Sequence, residues 1–213
     1  MKYQEFKEQV IKAPLILSRD LCRLQKAGQL VLNQLNRWQR KKLIIRLKKG
    51  LYILNEQDRK INPSRYFISN QLYGPSYVSL ESALSFYGII PEKVSDLTAV
   101  TTKKTAAFKN ELGTFIYQHV KLQAFRGFKT AKDNSGLTFF IAEPEKAVLD
   151  FIYLNLKKIP VASKDIFGES FRFQNLRQLR HSKIAALAGL FDNKKMRKLT
   201  KDLCELVKKE GGR

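Results

Sequence analysis

The segment from Ser18 to Leu54 constrains the fold more than any other part of this 213-residue chain. It opens with Ser18 and Asp20, residue types that cap a helix start and suit its positive end, and Gly28 then interrupts the pattern. Apolar residues at helical spacing predict a second, amphipathic helix over residues 29–42. Its buried face is predicted to contain Val31, Leu32, Leu35 and Trp38. Two helices joined by a turn are therefore expected.

The opposite face of the second helix carries side chains that suit base recognition. Arg can donate two hydrogen bonds to guanine O6 and N7, and Asn or Gln can pair with adenine N6 and N7. The residues assigned to base reading are Gln29, Asn33, Asn36, Arg37 and Arg40. An ordinary amphipathic helix with solvated charges is the alternative interpretation.

Residues 43–54 predict a β-hairpin, because two β-branched or aromatic runs flank a turn of Lys48, Lys49 and Gly50. Helix, turn, helix and hairpin in this order are typical of a winged helix-turn-helix, whose second helix enters the DNA major groove. Phosphate contacts are expected from Ser18, Arg19, Lys41, Lys48 and Lys49. Residues 19–50 hold ten Lys or Arg against one acid, and this excess favours the nucleic-acid interpretation.

The charge of the whole chain points to a polyanionic partner. The formal net charge is +21, with +11 in residues 1–75, +2 in residues 76–170 and +8 in residues 171–213. The basic tail is a candidate second surface, which could contact flanking DNA, bind RNA, or be a solvated helix face. Its residues are Arg172, Arg177, Arg180, Lys183, Lys194, Lys195, Arg197, Lys198 and Lys201.

The remaining pattern predicts an α+β fold in two domains. A first helix over residues 3–13 ends at Pro14 and completes a winged helix-turn-helix domain over residues 1–60, because residues 55–63 are polar and turn-rich. Residues 61–213 are expected to form a mixed α/β domain with a helical basic tail. Its strands are predicted at 97–102, 113–120 and 137–142, and its helices at 64–73, 79–87, 144–154, 173–181, 183–191 and 194–209.

Chemistry-bearing side chains give little support to catalysis. Glu143, Glu145 and Asp150 surround a helix start, where acidic residues complement the dipole and Lys146 offsets them. The two histidines and two cysteines lack metal-ligand spacing, and no glycine-rich phosphate loop is present in the sequence. We therefore expect no catalytic residue, no metal and no cofactor.

The sequence also predicts where the protein resides. Its first residues are polar and lack the apolar core of a signal peptide, and no apolar run reaches the roughly 20 residues that span a bilayer. We expect a cytoplasmic protein with no membrane partner. No heptad seam is evident, so a monomer that assembles cooperatively on DNA is expected.

Three motifs in order resemble the AbiEi antitoxins of AbiE-type (type IV) bacterial toxin–antitoxin systems, across about residues 15–200. They are Gly50-Leu51-Tyr52, the run from Tyr77 to Leu84 continued by Tyr87-Gly88-Ile89-Ile90-Pro91-Glu92, and the run from Ile141 to Asp150. The resemblance implies a winged helix that represses its own operon by binding inverted repeats in the promoter. It also implies a C-terminal antitoxin domain and a nucleotidyltransferase-like toxin as functional partner, without requiring direct binding. An RNA-binding protein and a transcription regulator unconnected with a toxin are the alternatives.

Overall fold

Three helices and a small antiparallel sheet form the N-terminal part of the computed structural model, which describes residues 1–25, 28–159 and 166–211. The helices are α1 (Tyr3–Val10), α2 (Ser18–Gln25) and α3 (Gly28–Arg40). The strands β1 (Ile16–Leu17), β2 (Ile44–Lys48) and β3 (Leu51–Leu54) pair in the order β1-β3-β2. The predicted helices and hairpin are present, although the centre of the turn between α2 and α3, Lys26 and Ala27, lies outside the described residues.

The N-terminal core forms where α1 and α3 meet. Phe6 of α1 stacks on Trp38 of α3 with ring centroids 4.4 Å apart, and Leu35 is fully buried beside them. The prediction for Leu32 is wrong, because 36% of its surface is exposed. At 100° per residue Val31 and Trp38 lie on one side of Leu35 and Leu32 lies on the other, about 100° from Val31 and about 120° from Trp38, so it falls outside the buried stripe.

A six-stranded mixed sheet forms the centre of the second part. Its strands are β4 (Ser76–Val78), β5 (Leu97–Thr101), β6 (Ala106–Asn110), β7 (Gly113–His119), β8 (Phe128–Lys132) and β9 (Thr138–Ala142), in the order β6-β7-β5-β4-β9-β8. The pairs β5/β7 and β4/β9 are parallel, and the other pairs are antiparallel. The predicted strands are confirmed as β5, β7 and β9. The sequence analysis missed β6 and β8, which are edge strands rich in Ala and Lys and so weak in β-propensity.

Five further helices pack around this sheet and each other. They are α4 (Arg65–Leu72), α5 (Leu80–Phe86), α6 (Pro144–Asn155), α7 (His181–Ala188) and α8 (Lys194–Lys209). Helices α4 and α5 contact strands of the sheet, and α6 packs against α5, α7 and α8. The chain is thus a mixed α+β protein.

The predicted helix over residues 173–181 is wrong. Only Leu176–Gln178 form a short 3₁₀ turn, and the residue before it, Asn175, has a left-handed backbone with φ of 56°. Its amide side chain donates to the carbonyl of Gly88 at 2.8 Å, so a long-range contact replaces the local helical pattern. The next predicted helix begins earlier, at His181, and its last turn, Gly189–Phe191, is also 3₁₀.

The β2–β3 hairpin contributes to two hydrophobic cores. Ile44, Tyr52 and Leu54 belong to the N-terminal core, whereas Leu47, Leu51 and Ile53 belong to the large core of the second part. The side chain of Asn110, at the end of β6, donates to the carbonyl of Leu47 at 3.2 Å. The domain division at residue 60 stays a prediction. The hairpin contributes side chains to the cores on both sides of that division.

A buried polar cluster connects α6 to β4. The carboxylate of Asp150 accepts from Tyr77 Oη at 2.9 Å and from Ser79 Oγ at 2.8 Å, and it pairs with the Lys146 ammonium. Lys146 Nζ also lies 4.5 Å from the centre of the Phe191 ring. Both oxygens of this carboxylate therefore have partners within the fold, and burial raises the pKa of Asp150.

We expect Asp150→Ala to lower the free energy of unfolding by about 3–5 kcal/mol, because the Lys146 ammonium is left buried without its counterion. Asp202→Ala is the matched control, since this aspartate of α8 is exposed and should change stability by less than about 0.5 kcal/mol. Urea unfolding followed by circular dichroism measures both values. Equal, small effects of the two substitutions would show that the buried pair does not stabilise the fold.

Candidate nucleic-acid interface

Helix α3 presents a polar face to solvent opposite its buried side. Val31, Leu35 and Trp38 are buried. The residues assigned to base reading, Gln29, Asn33, Asn36, Arg37 and Arg40, are all exposed. Gln29 Nε2 donates to Asn33 Oδ1 at 3.1 Å, so these two amides are mutually oriented on the exposed face. The five side chains are thus free to meet a ligand along one side of the helix.

The end of α3 projects two further cations. Leu43 N donates to the Trp38 carbonyl at 3.0 Å and Lys42 N to the Gln39 carbonyl at 2.9 Å, the hydrogen-bond pattern of a Schellman motif. Lys42 occupies the left-handed position, with φ of 56°, where glycine is usual. Both Lys41 and Lys42 are exposed there. The sequence analysis did not assign Lys42 to DNA contacts. Its positive charge at the end of the predicted helix was the one feature that could have indicated it.

Helix α2 is tied to the hairpin turn at its first residue. Ser18 N donates to the carbonyl of Gly50 at 3.0 Å, and Gly50 has φ of 82°. A Cβ on Gly50 would lie 3.3 Å from Ser18 Oγ, so a side chain there would crowd this contact. Ser18 is half-buried, whereas Arg19 is exposed beside Asp20 at 3.6 Å. Of these two predicted phosphate contacts, Arg19 is therefore the one that extends into solvent.

The hairpin differs from expectation at Lys48. Lys48 Nζ donates to the carbonyl of Leu72, the last residue of α4, at 2.5 Å. Burial and the nearby charge of Lys103 lower the pKa of Lys48. The structure thus turns Lys48 towards the second part, while Lys49 and Arg46 remain exposed. The sequence analysis did not identify Arg46. It stands between apolar residues in the predicted strand, and this alternation indicated that its side chain points away from the core.

Five of the nine cations of the predicted second surface pair with carboxylates or carbonyls of the same chain. Arg172 pairs with Glu92, Arg180 and Lys183 pair with Glu145 and Glu143, and Arg197 pairs with Asp192. Lys195 Nζ donates to the carbonyls of Leu156 and Ile159. Within the described ranges, Arg177, Lys194, Lys198 and Lys201 are left without such a partner. The tail cations therefore join α7 and α8 to neighbouring elements more than they form a continuous free surface.

The acidic group near α6 has partners of its own. Lys183 Nζ lies 2.6 Å from Glu143, and the buried Glu145 accepts from the backbone of Arg180 at 3.2 Å. His119 Nδ1 lies 3.0 Å from the Lys103 carbonyl, far along the sequence from these carboxylates. In the part of the chain that the structure describes, no three His, Cys, Asp or Glu side chains are placed to hold a metal ion.

A search of the described helices for a membrane span found none with the necessary length and apolar character. The exposed basic surface of the N-terminal part, which we call the α3 surface, consists of Arg19, Gln29, Asn33, Asn36, Arg37, Arg40, Lys41, Lys42, Arg46 and Lys49. Its cations and amides are solvent-exposed. The arrangement can bind a polyanion and donate hydrogen bonds to it.

Lys48 and Lys49 make a matched pair for testing this geometry. If the exposed Lys49 contacts a phosphate as predicted, Lys49→Ala should make the negative slope of log K against log salt on duplex DNA shallower by about 1. Lys48→Ala should leave that slope unchanged, because its ammonium is bound to Leu72. Fluorescence anisotropy over a salt series measures both slopes, and a larger effect of Lys48→Ala would contradict the placement.

Comparisons with known proteins leave the family open: no protein-family model and no curated protein matches this chain. The resemblance to the AbiEi antitoxins accordingly stays a prediction.

Proposed function

We propose that this protein is a sequence-specific DNA-binding repressor of its own operon and the antitoxin of an AbiE-type toxin–antitoxin pair. The observation that carries the DNA-binding proposal is the α3 surface, in which a solvent-facing row of Arg, Asn and Gln is flanked by cations of the hairpin. The order α1, α2, α3 and hairpin, with β1 paired to β3, supports the winged helix-turn-helix interpretation.

The dimensions of α3 suit the major groove. With its side chains an α-helix is about 10–12 Å across, which matches a groove about 12 Å wide, and the 13 residues of α3 extend about 20 Å at 1.5 Å per residue. Arg37 and Arg40 lie one turn apart, so both guanidinium groups can reach base edges from one side of the helix. Asn33 precedes Arg37 by one turn and can pair with adenine.

The flanking cations are suited to fixing the position of the duplex. Lys41 and Lys42 extend from the end of α3, Arg19 lies at the start of α2, and Arg46 and Lys49 lie on the hairpin. These groups come from three elements, so they can contact phosphates on both sides of a helix seated in the groove. In this proposal Ser18 and Lys48 serve the fold rather than the phosphates.

The antitoxin part of the proposal depends on the resemblance, and the buried cluster joins two of the motifs that carry this resemblance. Tyr77 and Ser79 come from the second motif, and Lys146 and Asp150 from the third. These side chains meet around one carboxylate in the core. Residues of the second and third motifs therefore meet in one buried network of this chain. The expected functional partner is a nucleotidyltransferase-like toxin, and the protein is expected to bind paired promoter repeats cooperatively as a monomer.

The decisive experiment compares the duplex upstream of the protein's own gene with a scrambled duplex at physiological salt, by fluorescence anisotropy. We expect the native duplex to bind at least about a thousandfold more tightly. Equal binding to both duplexes, with steep loss in salt, would reject specific repression. A folded RNA that binds more tightly than either duplex would favour the RNA-binding alternative instead.

Substitutions on α3 should separate base reading from charge. Arg37→Ala or Arg40→Ala should reduce discrimination between the native and scrambled duplexes by about 1–3 kcal/mol, because a pair of hydrogen bonds to guanine is lost. Lys41→Ala is the matched control, since it also removes one positive charge but should weaken binding to the native and scrambled duplexes alike. Competition titrations give the ratio of the two dissociation constants. Equal losses on both duplexes for Arg37→Ala would remove it from the base-reading role.

A further inference from the structure

Leu30 is an apolar side chain on the polar face of α3. It is 67% exposed, and among the described residues it belongs neither to a hydrophobic core nor to the side chains packed against one. At 100° per residue it lies about 140° around the helix from Leu35, which is fully buried. Most of the surface of Leu30 is therefore left for a ligand to cover.

Leu30 stands in line with two side chains assigned to base reading. It precedes Asn33 by three residues and Arg37 by seven, a spacing that places all three on one face of a helix, and all three are exposed. Leu30 is also the third residue of α3, which begins at Gly28. In a helix-turn-helix the first residues of the second helix contact base edges. A duplex bound to the α3 surface therefore brings base edges to Leu30.

The major groove offers one group to which a leucine is suited. Thymine presents a C5 methyl group there beside its O4 acceptor, and none of the other three bases carries a methyl group at this edge. Leucine has no hydrogen-bond donor or acceptor, so it cannot recognise guanine or adenine in the way that Arg and Asn do. Phosphate oxygens are equally unsuited to it. The thymine methyl group is thus the complementary partner on duplex DNA.

We propose that Leu30 recognises a thymine in the bound duplex by packing on its C5 methyl group. This inference rests on the proposed binding of α3 in the major groove. The contact removes two apolar groups from water, and burying a group of this size strengthens binding about fourfold. Leu30 thereby adds thymine to the guanine and adenine that the Arg and Asn side chains of α3 can recognise.

The test compares thymine with uracil, which keeps the base pairing and the O4 acceptor and lacks only the methyl group. Thymines in the duplex upstream of the protein's own gene are replaced one at a time by deoxyuridine, and dissociation constants are measured by fluorescence anisotropy. We expect at least one replacement that weakens the wild-type protein about fourfold and leaves binding by Leu30→Ala unchanged. A change in DNA shape would affect both proteins, so the difference between them isolates the leucine contact.

Leu32→Ala is the matched control. Leu32 is the other exposed leucine of α3, at 36%, and it lies about 160° from Leu30 around the helix. The variant should therefore keep the full sensitivity to uracil. Absence of any position at which wild type and Leu30→Ala differ, or an equal loss of sensitivity in Leu32→Ala, would overturn the proposal.

Two further measurements separate this inference from its alternatives. If the wild-type protein prefers the native over the scrambled duplex but no methyl effect depends on Leu30, the repressor proposal stands and the leucine contact is rejected. Equal binding to the two unmodified duplexes rejects both. Sedimentation velocity without DNA tests a second copy as the occupant. A dimer that Leu30→Ala dissociates would show that Leu30 packs against another chain and would overturn the thymine contact.

Discussion

The sharing of one β-hairpin between two hydrophobic cores is the constraint on which this fold depends. Side chains of β2 and β3 fill the core around Phe6 and Trp38 on one side and the core of the six-stranded sheet on the other. A two-stranded hairpin is marginally stable on its own, and here the apolar side chains of both strands are buried in one core or the other. The same hairpin holds the start of α2 through Gly50, so the orientation of α2 and the position of the turn are fixed together.

The chain uses its positive charge in two different ways. On the α3 surface the cations extend into solvent, where the single acidic neighbour of Arg19 is Asp20. Around α7 and α8 similar residues pair with Glu92, Glu143, Glu145 and Asp192, or donate to carbonyls that end a helix. Exposed ion pairs contribute little to stability. A buried carboxylate such as Glu145 needs its cation, because an unpaired buried charge destabilises the fold. Net charge therefore indicates the class of partner, and only geometry separates binding cations from structural ones.

Local periodicity made α3 and α8 predictable, because each has an apolar stripe long enough to be distinguished from chance. The exposed face of α3 followed directly from that stripe. Lys48 could not be placed in this way, because its partner is the Leu72 carbonyl, 24 residues later, and no local pattern encodes that contact. Asn175 shows the same limit, since its left-handed backbone is stabilised by Gly88. The edge strands β6 and β8 were missed because pairing with a neighbour, rather than their own composition, makes them strands.

The left-handed residue at the end of α3 has a mechanical consequence. Lys42 and the two backbone hydrogen bonds around it fix the direction in which the chain leaves the helix and enters β2. The orientation of β2 relative to α3 is thus constrained at two points, because Asn110 also donates to the carbonyl of Leu47 in β2. If DNA binds the α3 surface as proposed, the duplex would have to adapt its groove width to this arrangement. Sequences that narrow or widen easily would then be favoured at base pairs that no side chain touches.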